Sequence, residues 1–100
     1  MSGAEMIAAE RRRQVEVEGY DARHDAGVGS ENLTDAAITY ALASEAPGNA
    51  EAIQDAMHDF WPWQLSAWKP TGDRVRDLVK AGALIAAAID VELASRGGAS

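Results

Sequence analysis

The sequence predicts an all-α protein: a compact bundle of three to four helices with a Trp/Pro-rich loop before a long C-terminal helix. Three observations carry this. Apolar residues recur at helical spacings of three and four, most plainly after Asp73. No alternating β-branched run suggests a sheet. Breaking residues fall between the periodic stretches, at Gly19, at Gly27 and Gly29, at Pro47-Gly48-Asn49 and at Pro62 through Pro70. A chain of 100 residues is expected to form one domain over 1–100, with 5–96 ordered and a frayed tail at 97–100.

The first helix is read over Glu5 to Glu18. Ile7, Gln14 and Val15 share a side, Arg12 and Glu16 stand one turn apart as a surface pair, and Gly19 suits a left-handed cap. Tyr20 to Glu31 reads as a loop. The second helix covers Leu33 to Ser44, with Ser30 or Asn32 as cap and a small-residue face of Ala36, Ala37, Tyr40 and Ala41. Ala50 to His58 reads as a short third helix. The last helix starts at Thr71 or Asp73 and runs to about Ser95. Val75, Leu78, Val79, Gly82, Ile85, Ile89 and Leu93 form its expected core stripe, and Ala81, Leu84, Ala88 and Val91 a second one. A helix apolar on two sides is central in the fold, buried in an oligomer, or both.

Composition narrows the function. No cysteine is present, which excludes disulfides and zinc–thiolate sites. The N-terminus lacks a basic and apolar leader pattern, and no apolar run approaches the ~20 residues that span a bilayer. A soluble, cytoplasmic protein is expected, with no membrane partner. The net charge of −7 argues against duplex nucleic acid as a partner. The basic residues nevertheless collect in two groups, Arg11, Arg12, Arg13 and Arg23, then Lys69, Arg74, Arg76 and Lys80, with neither Lys nor Arg from His24 through Trp68. If the fold joins the groups, an acidic protein gains a local anion site. Paired with neighbouring carboxylates, the same residues are ordinary solvated helix faces.

Four of the six aromatic residues lie between Phe60 and Trp68. Such a loop either anchors a core or offers flat faces to a nucleobase. Guanidinium forks bind phosphate, so Arg11 or Arg13, Lys69, Arg76 and Lys80 around Trp61, Trp63 or Trp68 would suit a small phosphorylated nucleotide. The alternative is that Arg11 and Arg13 pair with Glu18 or Asp25 and the tryptophans are core. Enzyme signatures are sparse. His24-Asp25 and His58-Asp59, with Glu18, are candidate ligands of a metal phosphohydrolase. The spacings Glu51/Asp55 and Asp55/Asp59 are the nearest approach to paired magnesium-binding acids. No phosphate-binding glycine loop or Ser-His-Asp arrangement is signalled.

Taken as a set, Arg11-Arg12-Arg13-Gln14, Glu18-Gly19-Tyr20, His24-Asp25, Ala36-Ala37 with Tyr40-Ala41, Trp61-Pro62-Trp63, Trp68-Lys69-Pro70 and Arg76 through Ile85 resemble a family of small phage and prophage proteins. The likeness covers roughly Glu10 to Ile89. The family often carries Trp where this chain has Tyr20, and more acids after Asp25. The resemblance implies a phage accessory protein acting in the cytoplasm of an infected bacterium. By analogy of class it suggests a sponge for the nucleotide signals of Thoeris or CBASS immunity. The expectation is a homo-oligomer that sequesters such a signal without converting it. Arg11, Arg13, Arg76 and Lys80, with Lys69 in a lesser role, would hold phosphates. Trp61, Trp63, Trp68 and Tyr20 would stack on bases or close the pocket. Glu18, His24 and Asp25 would read ribose hydroxyls or orient the arginines. No catalytic residue, metal ligand or cofactor is assigned. A phosphodiesterase cleaving the same ligand and an acidic inhibitor of a host enzyme remain as alternatives.

Overall fold

Each helix starts where a short polar side chain or a glycine can receive it. In the computed structural model, which describes residues 1–97, α1 spans Gly3–Glu16. Residues 98–100 of the expected tail lie outside the described residues. Ser2 caps α1 in a reciprocal box with Glu5, which moves its start two residues ahead of the expected Glu5. Gly19 takes the left-handed φ of 76° expected of it, and the Tyr20 amide returns to the Gln14 carbonyl.

The stretch read as a loop contains a further helix, α2 (Ala22–Val28). Asp21 caps it by accepting from the His24 amide at 2.9 Å. α3 (Ser30–Ser44) follows with Gly29 alone between the two helices, so neither Ser30 nor Asn32 is its cap. Gly29 has φ 91° and ψ 146°, backbone open to glycine alone, and this permits an abrupt corner in one residue. α4 (Ala50–Phe60) is capped by Asn49, the aromatic loop contains a 3-10 turn over Leu65–Ala67, and α5 (Arg74–Ser95) is capped by Asp73. The count is therefore five α-helices rather than three to four, and no strand occurs among the described residues.

α3 lies along α5, and these two form the spine of the molecule. Leu33, Ala36, Ala37 and Tyr40 meet Ala81, Leu84, Ala87 and Ala88 in the core. Small residues on both sides let the backbones approach closely. α1 packs on another side of α5, where a Cβ added to Gly82 would come within 2.5 Å of the Ile7 side chain. α4 packs on α3.

Of the main stripe expected on α5 only Val79 is buried, with Gly82 packed on Ile7, whereas most of the second stripe is in the core. Ala81, Leu84 and Ala88 are buried, while Val75, Leu78, Ile85 and Ile89 are exposed. The reason is thickness. The molecule measures 42 × 31 × 22 Å, so its thin dimension holds about two layers of helices about 10–12 Å wide. Two layers cannot enclose a helix all round, and α3 takes the alanine side, where approach is closest.

Candidate functional site

The two basic groups do meet, through a buried carboxylate. Glu10 of α1 has a side chain only 1% exposed. Arg13 forks onto it, with Nε donating to Oε1 at 2.9 Å and Nη2 to Oε2 at 3.0 Å. Arg76 of α5 donates to Oε1 from across the α1–α5 seam, and Gln14 donates at 3.4 Å. Burial alone would raise the Glu10 pKa. The hydrogen bonds and charges of Arg13 and Arg76 outweigh it and hold the group below its ordinary value. Arg13 also donates to Glu18 at 3.0 Å, and its own pKa is raised by both carboxylates.

A second cation has no such partner. Lys80, one turn past Arg76, is half-buried. Its ammonium donates to the Lys69 carbonyl at 3.1 Å and lies 5.4 Å from the centre of the Tyr40 ring. Among the described residues no carboxylate pairs with it. Its pKa is lowered, first by desolvation and then by the nearby charge of Arg76.

The aromatic loop closes over this corner. Tyr40 packs edge-on to Trp61 at 5.7 Å and tilted against Trp68 at 4.7 Å, and Trp61 meets Trp63 edge-on at 5.2 Å. The Lys69 amide donates to the Tyr40 hydroxyl at 3.2 Å, and the Trp61 indole donates to the Gln64 carbonyl at 3.0 Å. These bonds tie the loop to α3 and to itself. All three tryptophans are half-buried against the core. Each is therefore both anchor and potential contact surface.

A cavity of about 100 Å³ opens between these groups, with Arg13, Glu18, Lys69 and Lys80 among the lining side chains and Tyr40, Trp61 and Trp63 as its aromatic walls. That is room for about three waters, or for a group of phosphate size. A wider hollow of about 440 Å³ adjoins it through the shared walls Tyr20, Trp63 and Ala67. His24, Val28, Pro62 and Gln64 complete the hollow, and its size falls in the ordinary range for small-molecule sites. Tyr20 and His24 stack at 4.6 Å with an interplanar angle of 13°.

Of the residues singled out in the sequence, Arg13, Glu18, Tyr20, His24, Trp61, Trp63, Lys69 and Lys80 line one or both spaces. Arg11 does not. It pairs with the buried Asp25 and donates to the Tyr20 carbonyl at 2.9 Å, fixing α1 to α2. Trp68 packs behind Tyr40 and Trp61. Arg76 stands behind Glu10, beside a separate hollow near Met1 and Met6. The expected Arg12–Glu16 pair is absent from the ion pairs of the described residues, where Arg11 and Arg13 are the pairing arginines of α1.

Glu10, Gln14, Tyr40 and Leu84 belong to the cavity and were not read as site residues. The Glu10/Arg13 spacing of three was the available signal for Glu10. His24 lies 3.1 Å from Asp25, whereas His58 and Asp59 stand on the outer end of α4 with 87% and 63% of their side chains exposed. No three His, Asp or Glu side chains gather as metal ligands among the described residues. No helix among them is long and apolar enough to cross a membrane. The chain matches no protein-family model, no curated protein and no solved structure.

Proposed function

We propose that this chain binds a small nucleotide-derived anion in the aromatic cleft and holds it without converting it. One observation carries the reading: the half-buried Lys80 side chain lines an aromatic cavity, its ammonium set on the Lys69 carbonyl and against the Tyr40 ring, with no carboxylate in ion-pair contact among the described residues. Partial burial and Arg76 disfavour the Lys80 charge, Asp77 and Glu10 offset this only from beyond contact, and an anionic ligand group placed against the ammonium would favour it. Arg13 and Lys69 would share the phosphate. The wider hollow would take the base between the Tyr20–His24 stack and Trp63, where planar faces accept any base. The acidic surface elsewhere disfavours a long polyanion, so a compact ligand fits best. The phage resemblance extends the reading to a self-associating accessory protein of the infected cytoplasm, which lowers the free concentration of a Thoeris or CBASS signal.

The test is capture and release. Protein is incubated with cyclic ADP-ribose isomers and cyclic dinucleotides, filtered, then heated, and both fractions are read by mass spectrometry. Ligand held back and released intact supports sequestration. Altered products make the protein a hydrolase. Retention of none of these ligands overturns the reading. For a ligand that is held, Lys80→Met should weaken affinity by about 10- to 150-fold, the range for loss of a charged hydrogen bond.

A further inference from the structure

Val75, Leu78, Ile85 and Ile89 form one line along the outer side of α5, at 55, 42, 40 and 53% exposure. From Val75 to Ile89 the line extends about 21 Å at 1.5 Å per residue, half of the molecule's 42 Å length. An apolar seam of this extent costs solubility unless something covers it. Its edge carries opposite charges at the two ends. Arg74 stands beside Val75 and Leu78, and Glu92 stands beyond Ile89. The two are five helical turns apart and so lie on the same edge. Glu31 and Asp35 of α3 join Glu92 around a shallow hollow floored by Ile85, Ala88 and Ile89.

We propose that this face is a homodimer interface, with α5 packed antiparallel against α5 of a second copy. A two-fold axis near Ala83 sets Arg74 of each copy opposite Glu92 of the other. It also sets Leu78 beside Ile89 and brings the two Ile85 side chains close to the axis. Arg74 has donors to spare, since among the described residues its side chain makes one hydrogen bond, to the Ser44 carbonyl at 3.2 Å. A parallel arrangement would oppose like charges at both ends. A foreign partner would have to bring a base for one end and an acid for the other, at this spacing; a second copy supplies both. The interface deepens the self-association in the reading above and is independent of its ligand.

Analytical ultracentrifugation of the ligand-free chain, across tens to hundreds of micromolar, tests it. The native chain should be dimeric. Ile85→Glu should be monomeric with unchanged helicity by circular dichroism. Glu92→Arg should raise the dimer dissociation constant by about tenfold, and Arg74→Glu combined with Glu92→Arg should recover most of that loss. A native chain that stays monomeric overturns the interface, as does a dimer that survives Ile85→Glu. Failure of the double reversal to recover affinity overturns the antiparallel arrangement. Should Ile85→Glu lose helicity, Ile89→Lys, nearer the helix end, gives the same reading. Ligand retention is measured separately, so loss of the cleft reading leaves this result standing.

Discussion

Lys80 has a pKa below its ordinary 10.5 because burial and Arg76 both disfavour its charge. An anionic ligand group beside it would favour that charge and raise the pKa in the complex. The sign follows. Affinity should be full below the free protein's Lys80 pKa and should fall as pH rises through it, because binding then requires uptake of a proton. Tyr20 and Tyr40 shift the other way. Burial pushes both phenols above 10.0, the opposite direction from Lys80. Affinity measured from neutral pH to about pH 10 by calorimetry should therefore decline for the native chain. Lys80→Arg should flatten that decline by staying charged throughout, whereas Lys80→Met should be weak and flat. A native profile as flat as that of Lys80→Arg would remove Lys80 from the anion contact. Glu10, which lines the same cavity, shows the opposite balance: two arginines overcome its burial.

At the scale of elements, the corner between α2 and α3 offers a clean contrast. Gly27 lies inside α2, Gly29 lies between the helices, and nothing stands within 4 Å of a Cβ at either. Packing is thus held constant and only backbone differs. Gly27→Ala should stabilise by up to ~1 kcal/mol through helix propensity. Gly29→Ala, at φ 91°, should destabilise by about 1–3 kcal/mol. Urea unfolding of the pair separates the two, and equal effects would mean the corner is not held as described. The same corner shows why α2 was not legible in the sequence. Its seven residues carry no apolar stripe, and it exists because Asp21 caps it and Arg11 holds Asp25 from α1. Both contacts are tertiary or local chemistry that periodicity does not register. The bounds of α3, α4 and α5 were readable to within a few residues because strong breakers flank them. Which of the two apolar stripes of α5 is the more buried was not readable. Hydrophobicity favours the valine and isoleucine side, but α3 packs where alanines permit close approach. In the cleft, the cations and tryptophans could be read from residue type. Tyr40 and Glu10 could not, because a tyrosine on a small-residue face and a carboxylate in a charged run look the same in ordinary helices.

For the molecule as a whole, the consequence is a core of little bulk. Among the described residues, eight of the twelve buried hydrophobic ones are alanine. Apolar burial contributes about 25 cal/mol per Å², so alanine gives little per residue, and a chain this short has few residues to spare. Polar pins take a correspondingly large part in holding the helices. Asp25 joins α2 to α1, Asp77 receives the Thr71 amide and hydroxyl ahead of α5, and Glu10 joins α1 to α5. Glu10 should therefore govern a measurable part of the acid stability. Its folded pKa lies below the ordinary 4.5, so its contribution is fully present above about pH 5 and is lost as pH falls through the folded value. Glu10→Gln keeps the shape but not the charge, and should destabilise by about 1–3 kcal/mol at neutral pH. That figure stays at the modest end for a buried pair because Arg13 and Arg76 reach solvent, 39% and 37% exposed, and can rehydrate. The variant's stability should then change less than the native protein's between pH 6 and pH 3, since the titrating group is gone. Urea midpoints at dilute protein concentration, which limits association near the isoelectric point of about 4.6, read both effects. If native and variant chains lose stability in parallel as the pH falls, the junction of the two basic groups contributes nothing to the acid limb. The alanine packing of α3 on α5 would then hold the slab together without it.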